Sequence, residues 1–279
     1  MSDDVSASES ARTVRVRKTL SPSRAEDFVS CPLKYRYRTI DRLPEPPSVT
    51  ATRGTLVHAV LERLFDNEPA QRTLAAAQDM LPGEWRALLD SDSSLASLFA
   101  DGAEERLWLE SAKSLLDSYF AMEDPQRLEP AKREWRAEWP LDSGLTFVGV
   151  LDRMEVAPDG RVRIVDYKTG KAPAERFQDR AMNQMRFYAY LVWQVTGVVP
   201  TLLQLLYLGD RKTLNYEPTE PELLNTKARF EAIWEAIENS LVSGVFEHKP
   251  GPLCRFCSFQ DACPQYGAEV LPIPTIQFV

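Results

Sequence analysis

The chain has 279 residues, of which 44% are hydrophobic, and its 33 basic and 41 acidic residues give a net charge of −8. This composition is ordinary for a globular protein, and the charge argues against a surface that is basic throughout, although it allows a local basic groove. No run of about 18 apolar residues occurs, and the polar N-terminus is unlike a secretory signal, so we expect a cytoplasmic protein without membrane contact.

The N-terminal region changes character near residue 18. Residues 1–18 are rich in Ser, Asp and Glu, which predicts a disordered tail. Ser21 or Ser23 favours the start of a helix. In residues 33–38, basic and aromatic side chains are interleaved, which is typical either of nucleic-acid contacts or of a packed helix end with a solvated basic face. Cys31 precedes this stretch.

Residues 53–66, RGTLVHAVLERLFD, have the apolar spacing of a helix. His58 lies at the edge of the apolar stripe. A histidine there is ordinarily a half-buried packing residue, and it becomes a ligand candidate only if other segments bring carboxylates to it. Residues 67–125 are predicted to be helical and to serve as scaffold.

Residues 132–141, 145–156 and 161–168 alternate as strands do. Between the last two, Pro158-Asp159-Gly160 has the pattern of a three-residue hairpin loop. Counting outward from this loop places Asp152 opposite Asp166. Directly opposed carboxylates repel each other, so this register indicates a shared cation.

Asp166 and Lys168 share one face of their strand because side chains alternate at every second position. Two carboxylates bind a hard cation such as Mg²⁺ or Mn²⁺, which lowers the pKa of a bound water and neutralises charge that grows on a phosphate. Lys168 can stabilise the same charge. The alternative is a surface ion pair of Asp166 with Lys168, unrelated to Asp152; the predicted register and the apolar strand favour a site.

Three features follow the hairpin. Residues 176–197 are predicted to form a helix in which Gln184 and Tyr188, four apart, lie on one face. Residues 201–210 favour a buried strand, although periodicity alone also allows a helix, and a long amphipathic helix is predicted to end near Gly244.

Cysteines form a second group near the C-terminus, where Cys254, Cys257 and Cys263 follow the pattern C-x2-C-x5-C. With Cys31 they make four thiols, which hold zinc or an iron–sulfur cluster in many proteins. The alternative is four unligated thiols. The compact spacing of three of them favours a metal, and spacing alone does not distinguish zinc from iron.

Several motifs in this order resemble the RecB-type exonuclease branch of the PD-(D/E)XK nuclease superfamily. RGTLVHAVLE is similar to the G-x-x-x-H helix of that family, GVLDRME to its first aspartate motif, VDYKTGK to its D-x-K motif and NQMRFYAY to its Q-x-x-x-Y helix. The cysteine pattern resembles the iron–sulfur members, among them AddB-type helicase–nuclease proteins and CRISPR adaptation nucleases.

The resemblance implies a fold and a domain. We expect an α/β restriction-endonuclease-like core, with a small mixed β-sheet flanked by helices, as a single nuclease domain over residues 19–279. Residues 67–125 would be a helical insertion, and residues 250–266 a cysteine segment that staples the C-terminus to the N-terminal part.

It also implies roles for individual residues. Metal ligands would be His58, Asp152, Asp166 and the backbone carbonyl of Tyr167. Lys168 would be the catalytic lysine, with Gln184 and Tyr188 positioning DNA or the site. Glu134 is a weaker candidate, since family members often carry a glutamate on the first core strand. The family assigns Cys31, Cys254, Cys257 and Cys263 to a [4Fe-4S] cluster, with Zn²⁺ as the alternative.

The implied function is Mg²⁺- or Mn²⁺-dependent hydrolysis of phosphodiester bonds in single-stranded DNA or at DNA ends, by an exonuclease of DNA repair or recombination. A non-catalytic DNA-binding module with a structural metal cluster is the alternative, which the intact D…D-x-K set disfavours. No phosphate-binding G-x-x-x-x-G-K-[ST] loop occurs, so a helicase motor would have to be a partner. Arg153, Lys171 and Arg186 are candidate phosphate contacts, although a solvated surface charge is the simpler expectation for each.

Overall fold

A computed structural model describes residues 12–279, and its contacts divide the chain into two compact units. Unit 1 combines Met1–Glu45, described from residue 12 onward, with Pro140–Phe147 and Arg229–Val279. Unit 2 combines Pro46–Trp139 with Val148–Ala228. Neither unit is one continuous stretch of sequence.

Unit 1 joins the two ends of the described chain. Its strands and short helices are β1 (Thr13–Val16), β2 (Thr19–Leu20), α1 (Pro22–Ser30) and α2 (Pro32–Tyr35), followed by a π-helix (Arg36–Asp41). β1 pairs in parallel with a strand formed by Thr275–Phe278. β2 pairs in parallel with Thr146 and Phe147. Ser21, one of the two serines predicted for this role, caps α1 by accepting a hydrogen bond from the Arg24 amide.

The strand β1 lies within the segment predicted to be a disordered tail. Residues 1–11 of that segment are outside the described residues. From Thr13 to Val16 the chain is a strand instead, with Val14 and Val16 buried. Alternating valines suit a half-buried strand once a partner is available, and the partner lies about 260 residues away in sequence, where local composition does not reveal it.

Unit 2 contains a mixed sheet. Its elements are α3 (Val49–Leu64), α4 (Leu74–Ser91), α5 (Gly102–Met122), β3 (Lys132–Pro140), β4 (Thr146–Val156), β5 (Val162–Lys168), α6 (Gln178–Thr196), β6 (Leu202–Tyr207) and β7 (Lys212–Tyr216). The last residue of β3 and the first two of β4 belong to unit 1. Both β3 and β5 pair with β4, and β5 is antiparallel to it. β6 runs parallel to β5, and β7 is antiparallel to β6. The expectation of an α/β fold with a small mixed sheet is confirmed.

Helices cover β5 and its neighbours. Val165 and Tyr167 join one apolar cluster with α3, α4 and α5, the helices of the predicted insertion among them. α6 packs against β5 and β6, and its Gln184 contacts Asp166 on the alternate set of β5 side chains. β5 is therefore buried apart from Arg163 and Lys168, which are half-buried.

The long C-terminal helix α7 (Glu220–Ser243) ends just before Gly244, as its apolar spacing predicts. The segment after it consists of short 3₁₀ turns and the final strand β8 (Thr275–Phe278). Among the described residues, no helix has the length and apolar character needed to cross a membrane.

Candidate active site

The hairpin between β4 and β5 sets the register of the site. The Gly160 amide donates to the Ala157 carbonyl, and Gly160 has φ +85°, a left-handed conformation that glycine adopts without a steric cost. The recorded ladder pairs Val156 with Val162 and continues to Arg153 opposite Val165. One further step places Asp152 opposite Asp166, as the turn predicts.

The two carboxylates lie at the end of this ladder. Asp152 Oδ2 accepts a hydrogen bond of 2.7 Å from the Tyr167 amide. Asp166 is only 2% exposed, and burial together with the nearby Asp152 charge raises the pKa of Asp166 to about 6, although Lys168 opposes this rise. The like charges are therefore close enough to repel.

His58 reaches the same place from α3. Its Nε2 lies 3.0 Å from the Tyr167 carbonyl oxygen, and its Nδ1 lies 3.4 Å from Asp152 Oδ2. Burial alone would lower the pKa of His58, but hydrogen bonds to Asp152 and Glu134 reverse this and raise it to about 10. The imidazole thus has the carboxylate neighbours that a ligand role requires.

Glu134 on β3 completes a compact donor group. Its Oε1 is 3.9 Å from His58 Nδ1, and single ligand atoms of His58, Glu134 and Asp152 all lie within 4.8 Å of one another. The backbone of Glu134 has φ +40°, which is strained for a residue with a side chain and is typical of functional positions. The weakest of the sequence candidates therefore lies in the site.

Lys168 and two residues of α6 lie on the other side of Asp166. Lys168 Nζ is 2.6 Å from Asp166 Oδ2 and donates to Gln184 Oε1 over 3.1 Å. Gln184 Nε2 in turn donates to Asp166 Oδ1 and to the Tyr188 hydroxyl. Burial lowers the pKa of Lys168, but Asp166 outweighs this and raises it, which keeps the ammonium charged.

Gly149 on β4 makes this packing possible. A Cβ atom at this position would lie 2.8 Å from the Tyr188 ring. The absence of a side chain at Gly149 therefore lets the Tyr188 ring of α6 pack closely against β4.

The donors present fit a hard divalent cation. Carboxylate oxygens, one imidazole and a backbone carbonyl are ligands that Mg²⁺ and Mn²⁺ accept. Asp166 Oδ2 is buried and has no well-aligned hydrogen-bond partner among the described residues, although the Lys168 ammonium lies 2.6 Å from it. The structure brings together all the residues predicted for this site, namely His58, Glu134, Asp152, Asp166, Tyr167, Lys168, Gln184 and Tyr188.

Three other basic residues are candidate phosphate contacts or, more simply, solvated surface charges by their sequence. Arg153 is neither, because it is 1% exposed and paired with Glu123. Arg186 is paired with Asp179 and has a 15% exposed side chain. Lys171 is exposed, as expected of a surface charge.

The four cysteines all belong to unit 1 and form no disulfide. Backbone amides approach two sulfurs: that of Lys249 lies 3.4 Å from Cys31 Sγ, and that of Gly251 lies 3.3 Å from Cys254 Sγ. Burial raises the pKa of the Cys263 thiol, as do the nearby charges of the other three cysteines, while a backbone hydrogen bond from Gln265 lowers it. Clustered thiols with amide donors fit a metal–thiolate site.

Comparison with known proteins adds to this geometry. A family model described as the PD-(D/E)XK nuclease superfamily matches residues 19–264. The chain belongs to the PD-(D/E)XK nuclease superfamily. The resemblance to this superfamily that the sequence motifs indicate is thereby confirmed, and the protein is a nuclease of this superfamily.

Similar proteins come from phages and bacteria. The Gene 69 protein of Mycobacterium phage D29 is 25% identical over 282 residues, which cover 88% of this chain and 96% of that protein. A component of the ATP-dependent helicase/deoxyribonuclease of Streptococcus equi subsp. zooepidemicus (strain H70) is 31% identical over 153 residues, which cover 54% of this chain and 14% of that component.

One solved structure shares the fold. A crystal structure described as "Putative exonuclease" from Eubacterium rectale superposes with a TM-score of 0.59 at 12% identity and covers 92% of this chain and 91% of its own. Together with the family match, this likeness confirms the predicted fold class for the PD-(D/E)XK nuclease.

Proposed function

We propose that this nuclease is a Mg²⁺- or Mn²⁺-dependent deoxyribonuclease of the RecB type, which degrades DNA from an end in repair or recombination. The single observation that carries the proposal is the convergence of His58, Glu134 and Asp152 within 4.8 Å, on the strand register that sets Asp152 against Asp166. Carboxylates in close contact repel each other, which costs free energy. Their presence together therefore supports a bound cation that offsets the repulsion.

His58, Asp152, Asp166 and the Tyr167 carbonyl would hold the metal, and we call these four donors the candidate metal site. Glu134 would join them directly or accept a hydrogen bond from His58. When bound, a divalent cation supplies charge neutralisation at the phosphate and acidifies a water.

The protein's own side chains have separable tasks in the proposed hydrolysis. Water adds to the phosphorus, the bond to one ester oxygen breaks, and that oxygen leaves as a hydroxyl after gaining a proton. Lys168 carries a fixed positive charge beside Asp166, where it stabilises negative charge on the phosphoryl oxygens. Gln184 holds Lys168 in place, and Tyr188 holds Gln184.

The cysteine group, which comprises Cys31, Cys254, Cys257 and Cys263, would hold a [4Fe-4S] cluster, with Zn²⁺ as the alternative. The absence of disulfides among them and the amide donors to two sulfurs support a metal–thiolate role. A reducing cytoplasm, which we propose as the location, keeps such thiols available.

A helicase partner is part of the proposal. The similar Streptococcus protein is named as part of a helicase/deoxyribonuclease, and a motor that opens duplex DNA would provide the single strands or ends that this nuclease would cut. Residues 19–279 would act as one nuclease domain in that assembly.

The test is a cleavage assay on anaerobically purified protein with Mg²⁺ or Mn²⁺. Linear and circular DNA, each single- and double-stranded, separates end-dependent from internal cutting. We expect degradation of linear DNA, and a loss of at least about 10³-fold in Lys168→Ala, whose missing charge acts on the transition state. Lys113→Ala, which removes an exposed lysine on α5, is the matched control.

Two results would contradict the proposal. A folded wild type that leaves every DNA intact would favour the alternative of a non-catalytic DNA-binding module. Rapid cutting of circular DNA would keep the nuclease but reject the requirement for an end.

A further inference from the structure

Arg153 is an unexpected cation in the interior of unit 2. It directly follows Asp152 on β4, and its side chain is 1% exposed. A buried arginine is costly unless every part of it is paired. The hydrogen-bond and ion-pair partners of Arg153 therefore show which groups it holds in place.

The partners come from the strands and from the end of α5. Arg153 Nη1 donates to the hydroxyls of Tyr167 and Tyr119 over 2.6 and 3.2 Å. Its Nη2 donates to both carboxylate oxygens of Glu123, over 2.7 and 2.9 Å. Its Nε lies 3.0 Å from Glu155 Oε1. With Arg163, which bridges both glutamates, these residues form the arginine network: Tyr119, Glu123, Arg153, Glu155, Arg163 and Tyr167.

Tyr167 belongs both to this network and to the candidate metal site. Its hydroxyl accepts from Arg153, whereas its amide donates to Asp152 and its carbonyl lies against His58 Nε2. The His58 ring also packs edge-on against the Tyr167 ring, at 5.8 Å between centroids. A shift of the Tyr167 side chain would therefore move the Tyr167 backbone. That backbone contacts two proposed ligands, Asp152 and His58, and its carbonyl is itself a third.

We infer that the arginine network positions the Tyr167 peptide and thereby fixes the geometry of the candidate metal site. Arg153 and the Tyr167 side chain are positioning residues in this account, since neither would touch the metal or the DNA. The inference rests on the proposed metal-dependent function. It also gives the helical segment 67–125 a role, because Tyr119 and Glu123 belong to it.

The charge states of Arg153 and Tyr167 are suited to keeping the Tyr167 side chain in one position. Burial lowers the pKa of Arg153, but Tyr167, Glu123 and other neighbours outweigh this and raise it. Burial also raises the pKa of Tyr167 well above its ordinary value, against the effect of Arg153. The guanidinium thus stays charged and the phenol neutral at any pH at which the enzyme would work.

Guanidinium geometry is essential to this arrangement. Arg153 makes a two-pronged contact with Glu123 and still reaches Tyr167 with a separate nitrogen. Lysine carries the same charge but one nitrogen, so it cannot make both sets of contacts in this fixed geometry.

The experiment measures Mn²⁺ binding by isothermal titration calorimetry and by electron paramagnetic resonance, on the full chain without DNA. Tyr167→Phe removes only the hydroxyl and leaves the carbonyl ligand in the backbone. We expect the Kd for Mn²⁺ at the candidate metal site to rise about 10-fold or more, the usual effect of losing a group that orients metal ligands. Arg153→Lys should raise it similarly. Activity lost by either variant should recover at high Mn²⁺.

Trp85→Phe is the matched control. It removes the partly buried hydrogen bond from Trp85 to Glu105 between α4 and α5, and so loosens the helical segment without touching the arginine network. We expect a lower unfolding temperature in Trp85→Phe with an unchanged Kd for Mn²⁺.

The outcomes separate this inference from the proposed function. If the wild type binds Mn²⁺ and cuts DNA while Tyr167→Phe and Arg153→Lys, both folded by circular dichroism, bind Mn²⁺ as tightly as the wild type, the positioning role is wrong and the function stands. A weakening in Trp85→Phe equal to that in Tyr167→Phe would also overturn it, since general loosening would then suffice. If Arg153→Lys does not fold, Tyr167→Phe alone decides.

Discussion

The candidate metal site and the cysteine group are held in different ways. Donors of the metal site lie on regular elements, and each contacts another protein group: Asp152 a backbone amide, His58 a carbonyl, Asp166 an ammonium. The cysteines lie in short turns and at a helix end, where backbone amides lie 3.4 Å from Cys31 Sγ and 3.3 Å from Cys254 Sγ. The proposed metal donors thus lie mainly on strands and a helix beside charged groups, whereas the cysteines lie mainly in irregular turns that backbone hydrogen bonds hold.

This contrast predicts opposite consequences when metal is lost. Around the metal site, the His58 imidazolium and the Lys168 ammonium can neutralise the carboxylates, so the fold should persist. If the cysteine group holds a metal as proposed, loss of that metal removes the bonds that join four thiols in irregular turns, so this segment should lose stability.

The largest expected effect is that of Cys257→Ser. We expect loss of the bound metal and a fall in the unfolding temperature of about 5–10 °C, because removal of one ligand weakens a metal-linked contribution of several kcal/mol. Thermal denaturation and metal analysis of anaerobically purified protein measure both. A visible absorbance that disappears in the variant assigns iron, and a colourless protein containing zinc assigns the alternative.

Asp261→Asn, an exposed change in the same segment, is the control and should alter neither quantity. Equal unfolding temperatures for Cys257→Ser and the wild type, with no metal in either, would mean that the cysteines are unligated thiols.

A second, smaller effect concerns pH in the metal-free protein. The pKa of His58 is raised to about 10, because Asp152 and Glu134 outweigh the opposing effect of burial. A raised pKa stabilises the fold fully below the unfolded value of about 6.5, and the stabilisation is lost as the pH rises through 10. Urea unfolding in chelator should therefore show a loss of a few kcal/mol more in the wild type than in His58→Gln between pH 6.5 and 10. If the free energy of unfolding changes equally with pH in the two proteins, the carboxylates do not stabilise the charged His58 imidazole.

The smallest effect concerns the hairpin that sets the register. Gly160→Ala forces a side chain into a left-handed conformation at φ +85°, which costs roughly 1 kcal/mol. Gly251→Ala is the matched control, because Gly251 has extended backbone and open space around it. We expect only Gly160→Ala to lower the urea midpoint, with cleavage unchanged in both. A loss of cleavage in Gly160→Ala would mean that the strands slip when the turn is strained.

Local chemistry was enough to predict much of the site. The turn residues defined the pairing of β4 with β5, and helical spacing placed His58, Gln184 and Tyr188. The same reasoning favours the strand that β6 forms. It does not identify β7, whose polar, mostly exposed or half-buried residues lack an apolar pattern.

Long-range pairing was not predictable in this way. The arginine network is buried only because α5 brings Tyr119 and Glu123 to Arg153, and an arginine on an alternating strand ordinarily faces solvent. One feature of the sequence does indicate that Arg153 is buried. Arg153 lies two residues from Leu151 and two from Glu155, so the three share one face of β4, and Leu151 on that face is buried. The strained backbone of Glu134 likewise depends on tertiary packing that no single segment encodes.

The most direct test of the central claim is a Mn²⁺ titration of the wild type and Asp152→Asn without DNA, with cleavage and unfolding temperature measured on the same samples. Asparagine keeps an oxygen that can accept from the Tyr167 amide but removes the charge. We expect a Mn²⁺ site in the wild type, a Kd at least about 100-fold weaker in Asp152→Asn and loss of cleavage. The unfolding temperature should change little, because relief of the repulsion with Asp166 opposes the loss of the charged partner of His58. Equal Mn²⁺ affinity in the two proteins, or cleavage that survives the substitution, would contradict the central claim.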